Sequence, residues 1–297
     1  MNAPEMITRR LKPFVYYSPT SIEEALSLLG DHNGKAVLFA GGTDLVSMMK
    51  LRKTTPEALV SLKGIEGMDY IRKDGARLRI GPLASIASIQ ASELIREEFF
   101  SLHETTKGFA TPQIRNMATI GGNICRSSPC ANTPPPLMTL GAGVRLVGQA
   151  GERLIKLEDF FTAAGENALD REVLAEIVVP LLEGSCGTAF KELTRNSSDV
   201  SKVTCSVCVS VQDGKCADIK VVLGSVADRI VRAKKTEAAL TGQPLDEKLI
   251  EEAAELVVPD IAPITDARSE AEYRREVSKV LVRRTIKLAA QRAEQSK

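Results

Sequence analysis

Tryptophan is absent from this 297-residue chain, aromatic residues make up only 4% of it, and the histidines are just two, His32 and His103. So few rings leave little surface on which bases could stack, and two isolated histidines argue against a histidine-built zinc site. Both are read as structural or solvent-exposed. An excess of either charge is also missing, since 39 Lys+Arg face 38 Asp+Glu. That balance supplies no electrostatic pull toward nucleic acid or an anionic membrane. No apolar run approaches the length of a membrane span, and Met1 to Pro13 holds no apolar stretch of the secretory kind. These absences predict a cytoplasmic protein with neither a nucleic-acid partner nor a membrane span. Two phosphate-binding signatures are missing as well: no G-x-x-x-x-G-K-[ST] occurs, and no G-x-G-x-x-G stands at a strand-to-helix turn.

What is present is enough apolar residue, 43%, for two domains or for one domain and a smaller companion. The six cysteines, at 125, 130, 186, 205, 208 and 216, are spaced unlike a disulfide framework and read as thiols. Cys125-x₄-Cys130 lacks the C-x₂-C that would complete a ferredoxin-type set, so no metal ligands are assigned. Cys205-x-x-Cys208 sits in an apolar strand pattern, as core cysteines do.

Two glycine pairs stand out, in Ala40-Gly41-Gly42-Thr43-Asp44 and in Thr119-Ile120-Gly121-Gly122-Asn123. Each follows an apolar stretch, each ends in a small polar residue, and neither contains lysine or arginine. Glycine permits positive φ and close approach to the backbone, so successive N–H groups can converge on one anion. An N–H bond to a charged group contributes roughly 1.5–3 kcal/mol. Four to six of them, with a helix N-terminus after Gly42, would suffice for a pyrophosphate without a cationic side chain. From composition alone each pair is equally well a plain turn.

Periodicity predicts the surrounding elements. Ser21 and Glu24 form a capping box before a helix over 21–31. A buried strand runs over 36–40, and Asp44 caps a short helix reaching Leu51. Strands are predicted at 58–62 and 77–81, one helix at 85–98, and another at 99–109 that stops at Thr111-Pro112. Pro134-Pro135-Pro136 opens a further helix, and strands follow at 144–147 and 173–179. Pro, Gly and Ser cluster at 180–187, which marks a boundary. Beyond it, Asp213-Gly214 joins strands 203–211 and 217–223 as a hairpin, and helices are predicted at 229–240, 246–257 and 269–292. The last carries Val277, Val280, Leu281 and Ile286 at helical spacing, and its Arg274-Arg275 and Arg283-Arg284 pairs read as a solvated face.

Longer stretches around the glycine pairs carry a resemblance. AGGTDLVSMMK and TPQIRNMATIGGNICRSSPCANTPPPLMTLGAGVRL resemble the FAD-binding medium subunit of molybdenum hydroxylases, the family of xanthine dehydrogenase and carbon monoxide dehydrogenase. So do FKELTRNSSDVSKV, GSVADRIVRAKKTEAAL and PITDARSEAEYRREVSKVLVRRTI, in the same order along the chain. The resemblance implies an α+β fold: a vanillyl-alcohol-oxidase-type FAD-binding domain over 11–183, with subdomains 11–65 and 66–183, then a C-terminal α+β domain over 187–295.

It also implies site residues. Ala40, Gly41, Gly42, Thr43, Asp44 and Leu45, with Thr119, Gly121, Gly122 and Asn123, would surround the FAD pyrophosphate. Leu174 would pack on the isoalloxazine ring, and Lys191 matches a family lysine on the flavin side of the C-terminal domain. Asn132 stands where the family commonly has an aspartate, keeping a carbonyl acceptor but losing the charge. The activity implied is electron transfer by an oxidoreductase subunit that needs no general acid or base of its own. Its partners would be a molybdenum-cofactor large subunit and a [2Fe–2S] small subunit. The outside acceptor would be NAD, oxygen, a quinone or a ferredoxin. The alternatives are a free-standing flavin oxidoreductase and a binding or assembly protein that keeps the fold without flavin turnover.

Overall fold

Ser21 starts the first helix much as its sequence foretells. In the computed structural model, which describes residues 10–163 and 165–295, the Ser21 hydroxyl accepts from the Glu24 N–H at 3.2 Å. The Glu24 carboxylate reaches back to the Thr20 N–H at 2.8 Å, one residue beyond the usual reciprocal partner. Most of the Met1–Pro13 stretch lies outside the described residues. The helix, α1 (Ile22–Asp31), packs Ala25 and Leu26 on a small parallel sheet of β1 (Val15–Tyr17), β2 (Ala36–Phe39) and β3 (Ala58–Ser61), in the order β1-β3-β2. The first glycine pair is therefore the turn from the carboxyl end of β2 into α2 (Leu45–Lys50).

A larger antiparallel sheet follows, of β4 (Ile71–Asp74), β5 (Arg77–Ile80), β6 (Gly143–Gly148), β7 (Gly151–Lys156) and β10 (Val173–Pro180). Its order is β4-β5-β10-β6-β7, so the last strand in sequence lies in the middle and is buried along almost its whole length. Between its halves the chain makes α3 (Ile86–Ala91), α4 (Glu93–Glu98), α5 (Phe100–Lys107), α6 (Pro112–Met117), α7 (Ile120–Cys125) and α8 (Pro134–Thr139). After β7 come α9 (Leu157–Phe160) and a short hairpin of β8 (Phe161–Ala163) and β9 (Glu166–Asn167).

Two predicted elements change here. The helix over 85–98 is broken at Ser92, whose extended backbone and hydroxyl cap a new start by accepting from the Ile95 N–H at 3.3 Å. Thr111-Pro112, read as a stop, is also a start: Thr111 caps α6 and Pro112 occupies its first turn, where a missing N–H costs nothing.

The C-terminal part is a four-stranded antiparallel sheet, β11 (Cys186–Leu193), β12 (Val203–Gln212), β13 (Lys215–Gly224) and β14 (Val231–Arg232). Asp213 and Gly214 turn the hairpin with φ of 51° and 74°. Three helices, α10 (Lys234–Leu240), α11 (Glu247–Glu255) and α12 (Ala271–Gln295), complete it. The helix predicted from 229 begins later because Val231 and Arg232 add to the sheet edge.

Alternate residues of β12 divide the sheet's labour. Val203, Cys205, Val207 and Val209 enter the core shared with the helices, while Ser206 faces the other way and meets the Thr139 hydroxyl of α8 at 3.1 Å. Arg274 is not on a solvated face: it is buried and donates to Asp266 at 2.7 Å and to the Ser225 carbonyl at 3.0 Å. From α12, Arg292 pairs with Glu104 of α5 at 2.8 Å and lies over the Phe100 ring, clasping the C-terminal part to the first. Among the described residues no helix is long and apolar enough to cross a membrane.

Candidate functional site

The two glycine segments meet. A Cβ on Gly41 would stand 2.1 Å from the Met117 carbonyl oxygen, so only glycine lets the first segment lie against the backbone leading into the second. Around them opens a cleft of about 890 Å³, large for a small metabolite and roomy enough for a dinucleotide-sized ligand. Ala40, Gly41, Gly42, Thr43, Asp44 and Leu45 line one side, and Thr119, Gly121, Gly122 and Asn123 line another. Leu174, beside a bulge in the central strand β10, also reaches the cleft.

In chemistry the two sides differ. Gly42 has φ of +73°, which curls the chain so that β2 feeds α2. Among the described residues, the N–H groups of Gly41, Gly42, Thr43, Asp44 and Leu45 find no acceptor within the protein. Asp44 does not cap α2 as predicted; its carboxylate turns across the cleft to pair with Arg126. The start of α2 is thus left as a run of open donors, the arrangement that binds anions.

The second pair is not a loop but the first turn of α7. Its N–H groups are already engaged: Ile120 donates to Ala84 at 3.0 Å, Gly121 to Pro82 at 2.9 Å, and Asn123 to Thr119 at 3.0 Å. Gly122 donates to the Thr119 hydroxyl at 3.1 Å. What Gly121 supplies is space, since a Cβ there would come within 2.6 Å of the Pro82 side chain. The Asn123 carboxamide oxygen accepts from the Thr133 hydroxyl at 2.6 Å, tying α7 to the start of α8.

Two predicted residues are not among those lining the cleft. The Asn132 side chain donates to Glu192 at 3.0 Å, and the Asn132 main-chain carbonyl accepts from the Thr105 hydroxyl at 3.0 Å. Lys191 lies on β11 opposite Cys205, with the C-terminal part presenting Val200 and Arg268 to the cleft instead.

Sequence reasoning missed Arg126, the cation one helical turn beyond Gly122. It becomes visible only when 120–125 is read as a helix, because residues four apart share a face. Cys125 lines the cleft too, and burial pushes its thiol up to about 12, away from the thiolate that metal binding needs.

The cleft therefore combines a row of open N–H groups at a helix start with a cation, a set that can meet an anion, and apolar Leu174 lies on its wall. Comparison with known proteins gives the family. The sequence profile of the FAD binding domain in molybdopterin dehydrogenase matches residues 10–182, and that of the CO dehydrogenase flavoprotein C-terminal domain matches 188–289. The chain is 32% identical to the carbon monoxide dehydrogenase medium chain of Afipia carboxidovorans, over 94% of this chain and 98% of that one. It is 30% identical to the glyceraldehyde dehydrogenase medium chain of Sulfolobus acidocaldarius, over 93% and 98%. The solved carbon monoxide dehydrogenase of Hydrogenophaga pseudoflava contains a chain that superposes with a TM-score of 0.93 at 31% identity, covering 95% of this chain and 99% of that one. With an FAD-binding domain followed by a flavoprotein C-terminal domain, the chain belongs to the FAD-binding medium subunits of the molybdenum hydroxylase family.

Proposed function

We propose that this chain is the electron-transfer subunit of a multi-subunit molybdenum hydroxylase. Electrons would arrive from a partner [2Fe–2S] subunit, after oxidation of substrate at a molybdenum-cofactor large subunit, and leave to an outside acceptor: NAD, oxygen, a quinone or a ferredoxin. The observation that carries the reading is the run of unpartnered N–H groups from Gly41 to Leu45, facing Arg126 across the cleft. Bound FAD supplies reversible electron uptake and release, and the protein orients it and tunes its electronics.

In this reading the N–H groups of residues 41–45 hold the pyrophosphate, with the α2 dipole behind them. Ala40 and Thr119 shape the walls on either side. Gly121 lets α7 pack against Pro82, Gly122 sits beneath the Thr119 cap, and Asn123 fixes the α7–α8 connection. Leu174 supports the isoalloxazine ring. Arg126 is placed to turn from Asp44 to a phosphate oxygen, which it can bind in the same charge-assisted way. To Asn132 and Lys191 we assign no direct contact with the ligand. The division into 11–65, 66–183 and 187–295 belongs to the proposal, as does a cytoplasmic location, which suits six free thiols.

Titrating FAD into the purified chain tests the reading. We expect a yellow protein whose unfolding free energy rises by about 2.7 kcal/mol at a hundredfold excess of FAD over Kd. A chain that stays colourless and shows no thermal shift overturns it. Recovery from its native host only as a monomer, free of molybdenum and iron, overturns the electron-transfer role while sparing the cofactor.

A further inference from the structure

We propose that Glu192 is a positioning residue that assembles the C-terminal wall of the cleft, an inference that rests on reading the cleft as the FAD site. Three segments converge on its carboxylate, two of them from far back in the chain and one from the turn that follows β11. Oε2 accepts from Asn132 Nδ2 at 3.0 Å and from the Ser201 hydroxyl at 2.5 Å. Oε1 lies against Gly108, where an added Cβ would stand 2.0 Å away. Each of these three residues is the chain neighbour of one that lines the cleft: Gly108 precedes Phe109, Asn132 follows Ala131, and Ser201 follows Val200. One carboxylate on β11 therefore sets the positions of three pieces of wall at once.

This geometry gives Asn132 a reason. An ionised carboxylate only accepts hydrogen bonds, so its neighbours must donate. Asparagine donates; an aspartate at 132 would bring a second carboxylate to hydrogen-bond distance of the first, where both cannot stay ionised without strain. The Asn132–Glu192 pair is thus a matched set, and replacing one member should be repaired by changing the other. Ser201 and Asn132 also approach Oε2 from different domains, which ties the second subdomain to the C-terminal sheet at the cleft's edge.

The full chain titrated with FAD, alongside melting of the FAD-free chain, tests this. We expect Asn132→Asp and Glu192→Ala each to raise the Kd for FAD about ten- to a hundredfold, the range for losing a hydrogen bond to a charged group. The double variant Asn132→Asp with Glu192→Gln should return to within about threefold of the wild type, because the new amide donates to the new carboxylate. Bound flavin in Glu192→Ala should also show a shifted visible absorption band. If Glu192→Ala does not fold, the rescue by the double variant decides alone. Wild-type affinity in Asn132→Asp overturns the proposal, as does a double variant no better than the single one. A lower melting temperature with unchanged Kd also overturns it, since Glu192 would then be domain glue and nothing more. A wild-type chain that binds no FAD sinks the cofactor reading itself, which keeps the two failures apart.

Discussion

In the segment from Ala40 to Asp44, glycine is needed twice over, for a left-handed dihedral at Gly42 and for the missing side chain at Gly41. In the segment from Thr119 to Asn123, neither glycine has positive φ, and Gly121 is needed for space alone. One segment leaves its donors open at a helix start; the other spends them on the Thr119 cap and on the chain around Pro82 and Ala84. Similar sequence thus yields a cradle on one side and a buttress on the other. Satisfied donors mark which is which, since an N–H with no partner in the protein is open to water or to a ligand.

The largest effect that would break this contrast concerns Gly41. Gly41→Val sets a branched side chain against the Met117 carbonyl, which cannot yield as a flexible side chain would. FAD affinity should fall by about a hundredfold or more, more than 2.7 kcal/mol. An unchanged Kd by flavin titration would mean the cradle lies elsewhere. Gly121→Ala should act on folding instead: overpacking against Pro82 costs about 2 kcal/mol, read by urea unfolding of the FAD-free chain. Loss of FAD without loss of stability there would turn the buttress into a second cradle.

Gly42→Ala places a side chain at φ of +73° and toward the Phe39 ring. The left-handed backbone alone costs about 1–2 kcal/mol, and chemical denaturation should show it even without ligand. Thr119→Ala removes a single cap, worth about 1 kcal/mol, and frees the Gly122 N–H. If FAD then binds more tightly, the second segment has a latent donor. Arg126→Ala should move stability least, by under about 1 kcal/mol, because the Asp44–Arg126 pair is exposed on both sides. It should nonetheless flatten the salt dependence of FAD binding, and an unchanged salt slope would deny Arg126 any contact with phosphate.

Much of the fold was legible. The capping box at Ser21, the strand before Gly41, the Asp213-Gly214 hairpin and the long last helix all have local causes, and each occurs near its predicted place. The second glycine pair misled because two glycines each cost a helix about 1 kcal/mol relative to alanine. Thr119 capping and close packing on Pro82 override that preference, and neither is visible in a local window. Arg274 misled for a similar reason, since its charge is satisfied by Asp266 and the Ser225 carbonyl, which only the fold brings near.

The sequence by itself determined the cofactor class and the order of the domains, because long stretches of residues in a set order are specific where a single Gly-Gly pair is not. It also determined the turn at Gly42, where backbone sterics act within a few residues. Only the tertiary structure decided which glycine segment keeps its donors free, that Arg126 faces Asp44, and that Asn132 answers to Glu192 rather than to the cleft. Those are pairings between residues far apart in the chain. Hydrogen-bond partners and steric room at such distances are set by how the sheets and helices pack, and no local pattern encodes them.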